Sequence, residues 1–243
     1  MSASERDVEL RPRGWRVWTV PLIAAVAYAA VVASDTNLTL LHVLNSFGPA
    51  TSDALWACLN ALGDAAAALT LCLPLWRRRR DVVGALLVGA LIAAGWVHML
   101  KPLISEPRPP AVLPSTALHV IGPAYKSNSF PSGHATTTFA VAGIWALGLG
   151  LRRAYIPLVL CATVVAFSRC VAGVHWPLDV LAGIFGGWLS AAFGLIVAEH
   201  LHFRLRPWVQ WSSGLVMIGC AVALLVGYGT GYSQALGCNR DSR

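Results

Sequence analysis

The chain has 243 residues, of which 56% are hydrophobic and 12% are charged, and its formal net charge is +7. Soluble domains carry charge on about a quarter of their residues, so this composition excludes an ordinary soluble protein and indicates a polytopic membrane protein. A chain this apolar has no broad basic face for a duplex, and it carries no nucleic-acid-binding motif. We therefore expect membrane lipids, and no nucleic acid, as partners.

Seven apolar runs are long enough to form membrane helices, because roughly 20 residues cross a bilayer. We expect an all-α membrane bundle with a six-helix core and a seventh transmembrane helix near the C-terminus. The expected segments cover approximately residues 15–33, 53–76, 82–100, 132–151, 155–170, 177–198 and 208–227. The first run is longer than the roughly 7–15 apolar residues of a signal peptide, so we interpret it as a retained helix.

The stretches between the segments differ in character. Residues 34–51 place Leu40, Leu41, Leu44 and Phe47 on one helical face, which predicts a short amphipathic helix on the outer surface, with Asn45 and Ser46 off that face. Residues 102–130 are rich in proline, which excludes a long helix and predicts a lid or surface loop.

Three residues inside the segments have open roles. For Asp64, within the second segment, we expect a hydrogen bond to a neighbouring helix rather than a functional role. His98 lies three residues before Lys101 and either lines a site or packs in the core. Gly183 and Gly187 form a small-residue face for close helix packing.

Arginine clusters set the expected topology. They lie at residues 6–16, 77–80, 152–153 and 204–206 and flank the apolar runs as cytoplasmic loops do. The N-terminus is then inside and the C-terminus outside. The expected organisation is a cytoplasmic tail (1–14), a membrane core (15–200) that carries the polar segments (101–179), and a region with a basic loop, the extra helix and an outer tail (201–243).

Three polar clusters fall near the outer face in this topology, and ionisable groups near hydrocarbon are costly and usually functional. The clusters are Lys101 to Arg108-Pro109, then Pro131-Ser132-Gly133-His134, then Ser168-Arg169 with His175 and Asp179. Their convergence at one face predicts a single shared site.

His175 and Asp179 are four residues apart at the start of the sixth segment, so their side chains can meet on one face. A carboxylate on one imidazole nitrogen fixes the tautomer and leaves the other nitrogen free to act as a nucleophile. A structural His–Asp pair is the alternative. Arg169 favours the functional interpretation, because a guanidinium matches the geometry of phosphate.

The other two clusters also suit phosphate. Ser132 and Gly133 open a helix whose free N–H groups and dipole would form an anion cradle, although many ordinary helices start in this way. Lys101 and Arg108 add positive charge that suits a transferring phosphoryl group. The sequence holds no carboxylate cluster for Mg²⁺ or Zn²⁺, so we expect neither metal nor cofactor.

These three segments resemble the signature motifs of the type-2 phosphatidic-acid phosphatase superfamily, which includes membrane lipid phosphatases and vanadium haloperoxidases. The resemblance implies that His175 is the nucleophile, that Asp179 orients it, and that His134 protonates the leaving oxygen and then activates water. It also implies phosphate binding by Lys101, Arg108, Ser132, Gly133 and Arg169. The family's core has six membrane helices, so the run over residues 208–227 exceeds it.

The implied function is a membrane lipid phosphatase that works through a phosphohistidine at the outer face of a bacterial inner membrane. Candidate substrates are a polyprenyl diphosphate, phosphatidylglycerophosphate, phosphatidate and lipid A phosphate, with the polyprenyl diphosphate first. A phosphotransferase that passes the phosphoryl group to another lipid is the alternative enzyme. A non-catalytic lipid-binding or transport protein is the remaining class, against which both intact histidines argue. The sequence does not indicate an oligomeric state.

Overall fold

The computed structural model describes residues 14–149, 152–202 and 206–226, and every regular element within these ranges is helical. The expected cytoplasmic tail, apart from Gly14, and the expected outer tail from residue 228 lie outside the described residues. The helices are α1 (Arg16–Ser34), α2 (Asn37–Asn45), α3 (Phe47–Ala50), α4 (Asp53–Leu62), α5 (Ala65–Leu71), α6 (Arg80–Ile104), α7 (Pro109–Val112), α8 (Gly133–Gly148), α9 (Tyr155–Val171), α10 (Pro177–His200) and α11 (Pro207–Leu225).

The expected membrane bundle is confirmed. Within the described ranges, α1, α6, α10 and α11 are each long and apolar enough to cross a membrane, and α4 with α5 together form a fifth candidate span. The apolar helix α9 has 17 residues, and α8 has 16. Both are shorter than the roughly 20 residues of a typical span.

Helix α10 is the central element and packs against α8, α6 and α1. Trp188 on α10 is fully buried, and its indole N–H donates to the Val17 carbonyl of α1 at 3.0 Å. A Cβ added at Gly183 would lie 2.7 Å from the Ser132 carbonyl oxygen, so only glycine permits this approach of α10 to the start of α8. The predicted small-residue packing face is therefore present.

The sequence had predicted a single helix for the second segment, but the structure divides this segment into two helices. Helices α4 and α5 meet at Gly63 and Asp64 with a bend of 70°. Asp64 accepts hydrogen bonds from the backbone N–H groups of Ala66 and Ala67 at 2.8 and 3.3 Å. The expected bond from Asp64 to a neighbouring helix is wrong, because an aspartate that follows a glycine can cap a new helix instead.

The stretch over residues 34–51 also differs in detail from the amphipathic pattern. Leu41 is buried as expected, whereas Phe47 is exposed. Asn45, expected off the apolar face, is buried and donates to the carbonyls of His119 and Val171 at 2.7 and 2.8 Å. The Asn45 amide pairs with backbone groups of two other segments. Its hydrogen bonds, rather than hydrophobicity, therefore explain why this side chain is buried.

Candidate active site

The polar clusters lie where helices end. Lys101 is in the last turn of α6, and His134 is in the first turn of α8. Arg169 is in the last turn of α9, His175 lies in the connection that follows, and Asp179 is in the first turn of α10. The Ser132 N–H donates to the Asp179 carbonyl at 3.0 Å, which fixes the starts of α8 and α10 side by side.

His175 and Asp179 form a buried pair. The Nδ1 atom of His175 lies 3.1 Å from Oδ2 of Asp179, and each residue is 1% exposed. The Trp176 N–H donates to the same carboxylate oxygen at 2.9 Å, which fixes its orientation. A carboxylate at Nδ1 selects the tautomer with a proton there, so Nε2 carries the lone pair.

Ser129 contacts both residues of this pair, and the sequence analysis missed it. Its hydroxyl donates to Oδ2 of Asp179 and lies 3.4 Å from Nδ1 of His175. Ser129 is fully buried, and its backbone N–H donates to the Glu106 carbonyl at 2.8 Å. Its position directly before Phe130 and the second cluster is the signal that could have drawn attention to it.

The pKa of His175 is lowered well below its ordinary value. Burial is the main cause, and the positive charges of Arg108, Arg169 and Lys101 and the ring of His134 add to it. These effects require that the groups lie close together, so the structure brings the three predicted cations and both histidines to one site. A lowered pKa keeps the imidazole neutral near pH 7.

Arg169 is 4% exposed and is held by another residue that the sequence analysis did not single out. Its Nη1 donates to Oδ1 of Asn60 at 2.9 Å. Asn60 is fully buried, and its amide nitrogen donates to the carbonyls of Trp56 and Ser168 at 2.8 and 3.2 Å. These three hydrogen bonds fix the orientation of the Asn60 amide, with its oxygen towards the Arg169 guanidinium.

Two further cations are held by the proline-rich loop. Arg108 is 8% exposed, and its Nε donates to the Ser127 carbonyl at 3.0 Å. Its guanidinium carbon lies 5.4 Å from the centre of the Tyr125 ring. The Nζ of Lys101 donates to the Asn128 carbonyl at 2.8 Å. The loop thus fixes the direction of both side chains.

The start of α8 does not offer the free Ser132 N–H group that the sequence analysis expected. The Ser132 N–H is engaged by Asp179, so it is not free for an anion. The Ser132 hydroxyl and Nε2 of His134 are buried without a hydrogen-bond partner among the described residues. Buried polar atoms are usually paired. Both atoms are therefore suited to a polar group of a bound molecule.

Among the described residues, no group of three or more His, Cys, Asp or Glu side chains is placed to hold a metal ion.

Comparison with known proteins identifies the family. A family model described as the PAP2 superfamily matches residues 82–202, a range that contains all three polar clusters. The decaprenylphosphoryl-5-phosphoribose phosphatase of Mycobacterium tuberculosis (strain ATCC 25618 / H37Rv) is 37% identical over 189 residues, which cover 78% of this chain and 92% of the relative. The chain belongs to the PAP2 superfamily. The resemblance stated from the motifs is confirmed.

Two other comparisons agree with a phosphatase of this fold. The lipid A 1-phosphatase of Rhizobium etli is 40% identical over 81 residues, which cover 32% of this chain and 34% of that protein. The structure described as the crystal structure of Aquifex aeolicus LpxE superposes with a TM-score of 0.56 and 28% identity, and it covers 67% of this chain and 93% of that one. The chain is a phosphoric ester hydrolase with an all-helical membrane fold.

Proposed function

We propose that the protein is a membrane lipid phosphatase that removes a terminal phosphate from a polyprenyl-linked phosphate or diphosphate through a phosphohistidine at His175. The observation that carries the proposal is the buried His175–Asp179 pair, at 3.1 Å, among three cations. The relative named as a decaprenylphosphoryl-5-phosphoribose phosphatase supports a polyprenyl-linked substrate.

The first chemical step is the transfer of the phosphoryl group to His175. The lone pair of Nε2 attacks phosphorus while the bond from phosphorus to the leaving oxygen breaks. Asp179 accepts the hydrogen bond from Nδ1–H and stabilises the positive charge that develops on the ring. His134 donates its proton to the leaving oxygen, so the lipid departs as an alcohol or, from a diphosphate, as a monophosphate.

The second step releases inorganic phosphate. His134, now neutral, takes a proton from water as the water oxygen attacks the phosphohistidine. The bond from phosphorus to Nε2 breaks, and its electron pair returns to His175. The proton taken from water restores the protonated form of His134, so the enzyme is back in its starting protonation state.

The cations stabilise the phosphoryl group in both steps. The charge of a transferring phosphoryl group is spread over its equatorial oxygens. Lys101, Arg108 and Arg169, whose charges act on His175, would surround that group. The Ser132 hydroxyl and the Gly133 backbone complete the set. In this proposal the three cations supply the charge that a metal ion supplies in many other phosphatases.

The proposed location is the inner membrane of a bacterium, with the site facing the periplasm. The arginines at residues 77–79 precede α6, whereas Lys101 lies at its other end. Basic residues favour the cytoplasmic side. The site end of α6 would therefore be the outer end, where it can meet a polyprenyl-linked lipid in the outer leaflet.

Phosphate release from a panel of lipid phosphates tests the proposal. Detergent-purified protein is assayed with EDTA present, next to His175→Ala. We expect release by the wild type only, with polyprenyl-linked phosphates among the best substrates. Release that needs an added acceptor lipid would indicate a phosphotransferase, and substantial activity of His175→Ala would exclude His175 as the nucleophile.

A further inference from the structure

A cavity of about 330 Å³ adjoins the candidate active site. It lies between α5, α6 and α8, and Lys101, Gly133 and His134 belong to its wall. The cavity therefore continues the phosphate site into the bundle, where the rest of a bound substrate would lie.

The wall of this cavity is polar at one end and apolar at the other. Lys101 lies in the last turn of α6, so Leu86 lies roughly 22 Å further from the site along that helix at 1.5 Å per residue. On α8, Val141 lies about two turns beyond His134. The apolar wall is formed mainly by Leu69, Leu86, Ala90, Ala93, Ala94, Val97 and Val141. The cavity thus suits an amphipathic molecule with its polar part at the phosphate end.

Asp64 lines the cavity directly after Gly63, where an added Cβ would lie 3.2 Å from Cβ of His134, and the mechanism gives Asp64 no role. His98 and Thr137 line the cavity with it. Both hydrogen bonds that the Asp64 carboxylate accepts within the described chain go to Oδ1, so Oδ2 can accept from another donor. Serine, threonine or asparagine caps a helix about as well, and a carboxylate inside an apolar segment is costly. Capping alone therefore does not account for an aspartate here.

We propose that Asp64 accepts hydrogen bonds from the hydroxyls of a sugar or similar polyol that carries the terminal phosphate and links it to the lipid chain. This inference rests on the proposed function and narrows its substrate class. A carboxylate at this position attracts hydroxyl donors and repels the second phosphate of a polyprenyl diphosphate. Asp64 thus selects lipids whose phosphate is esterified to a polyol over lipids whose phosphate is attached to another phosphate.

The test compares two lipids with the same chain, decaprenylphosphoryl-5-phosphoribose and decaprenyl diphosphate. The specificity ratio is kcat/KM for the first divided by kcat/KM for the second. Asp64→Ser keeps a capping oxygen but withdraws the carboxylate from the cavity. Loss of a hydrogen bond to a charged group changes kcat/KM by about 10- to 100-fold, so we expect this variant to lower the specificity ratio at least 10-fold.

Asp53→Ser is the matched control. Asp53 also lies in the first turn of a helix, but its carboxylate contacts His119 at 2.8 Å and is not part of the cavity wall. We expect the wild-type ratio from this variant. An equal loss on both lipids in Asp64→Ser would make Asp64 a structural residue and overturn the inference.

The wild type supplies a second measurement that does not depend on a variant folding. It should prefer the phosphoribose lipid, and a preference for the diphosphate would overturn the inference while leaving the proposed function intact. If the wild type hydrolysed neither lipid nor any other lipid phosphate, the proposed function itself would fail.

Discussion

Asn60 and Arg169 are joined by a hydrogen bond of 2.9 Å between the Asn60 amide oxygen and Nη1 of the guanidinium. The contact connects α4, the first half of a broken span, to the end of α9. Both side chains are buried, so the bond is shielded from water and fixes where the guanidinium points. The broken second span is thus part of the candidate site as well as of its support.

Asn60→Leu should weaken oxyanion binding. It removes the acceptor from a buried guanidinium, and a hydrogen bond to a charged group contributes about 1.5–3 kcal/mol. We expect the inhibition constant of orthovanadate, a phosphate analogue, to rise about 10- to 100-fold. Asn45→Leu is the control, because Asn45 is also buried and its hydrogen bonds within the described chain go to His119 and Val171. It should lower the melting temperature and leave vanadate inhibition unchanged; an equal rise in both variants would deny Asn60 a specific role.

Ser129→Ala should reduce turnover more than substrate binding. The hydroxyl bonds to Asp179 and lies beside His175, so its loss loosens the pair that orients the proposed nucleophile. We expect kcat to fall about 10-fold, in line with roughly 1.4 kcal/mol, with KM little changed. Ser127→Ala is the control, since Ser127 is exposed and contacts Arg108 through its backbone carbonyl. A rise in KM with unchanged kcat would place Ser129 in substrate binding instead.

The sequence predicted the helices and the clusters far better than the contacts between them. An apolar run long enough to span a bilayer can be recognised in the sequence. Because successive spans alternate in direction, the polar clusters at their ends were predicted to meet at one face. Ser129 and Asn60 carry no such signal, because a loop serine or a single asparagine in an apolar run has many structural roles. Only the fold shows that these two residues reach Asp179 and Arg169.

Hydropathy also did not predict the break at Gly63 and Asp64. The run over residues 53–76 is apolar throughout its length apart from a few polar side chains, and hydropathy does not distinguish a straight helix from a bent one. What decides the bend is local: the Asp64 carboxylate bonds to the N–H groups of Ala66 and Ala67 and starts a second helix.

Gly63→Ala should impair catalysis without unfolding the protein. A Cβ at residue 63 would lie 3.2 Å from both Cβ and Cδ2 of His134, closer than ordinary van der Waals contact, so the imidazole must shift. A displacement of this size in a proposed general acid should reduce kcat about 10- to 100-fold. Gly95→Ala, whose Cβ would meet no atom within 4 Å, should keep wild-type kcat. Wild-type turnover by Gly63→Ala would show that the position of His134 is not critical.

Stability should fall in acid because of His175. Burial and the neighbouring cations hold its pKa in the folded protein well below its ordinary value, which is about 6.5 in an unfolded chain. Below pH 6.5 the unfolded state therefore binds a proton that the folded state does not. This group alone lowers the free energy of unfolding by up to about 1.4 kcal/mol for each pH unit.

The melting temperature in detergent between pH 7.5 and pH 5 measures this dependence. His175→Asn removes the titrating group, so its melting temperature should decline less than that of the wild type over the same range. Parallel curves for the two proteins would show that His175 titrates normally.

Direct detection of the phosphorylated enzyme tests the central claim. Wild-type protein is mixed with a polyprenyl-linked phosphate whose terminal phosphorus is radiolabelled, and the reaction is quenched in alkaline detergent within milliseconds. A phosphohistidine at His175 predicts a protein-bound label that is stable in base, lost in acid and absent from His175→Ala. Release of labelled phosphate by the wild type with no protein-bound label at any quench time, or a label that persists in His175→Ala, would contradict it.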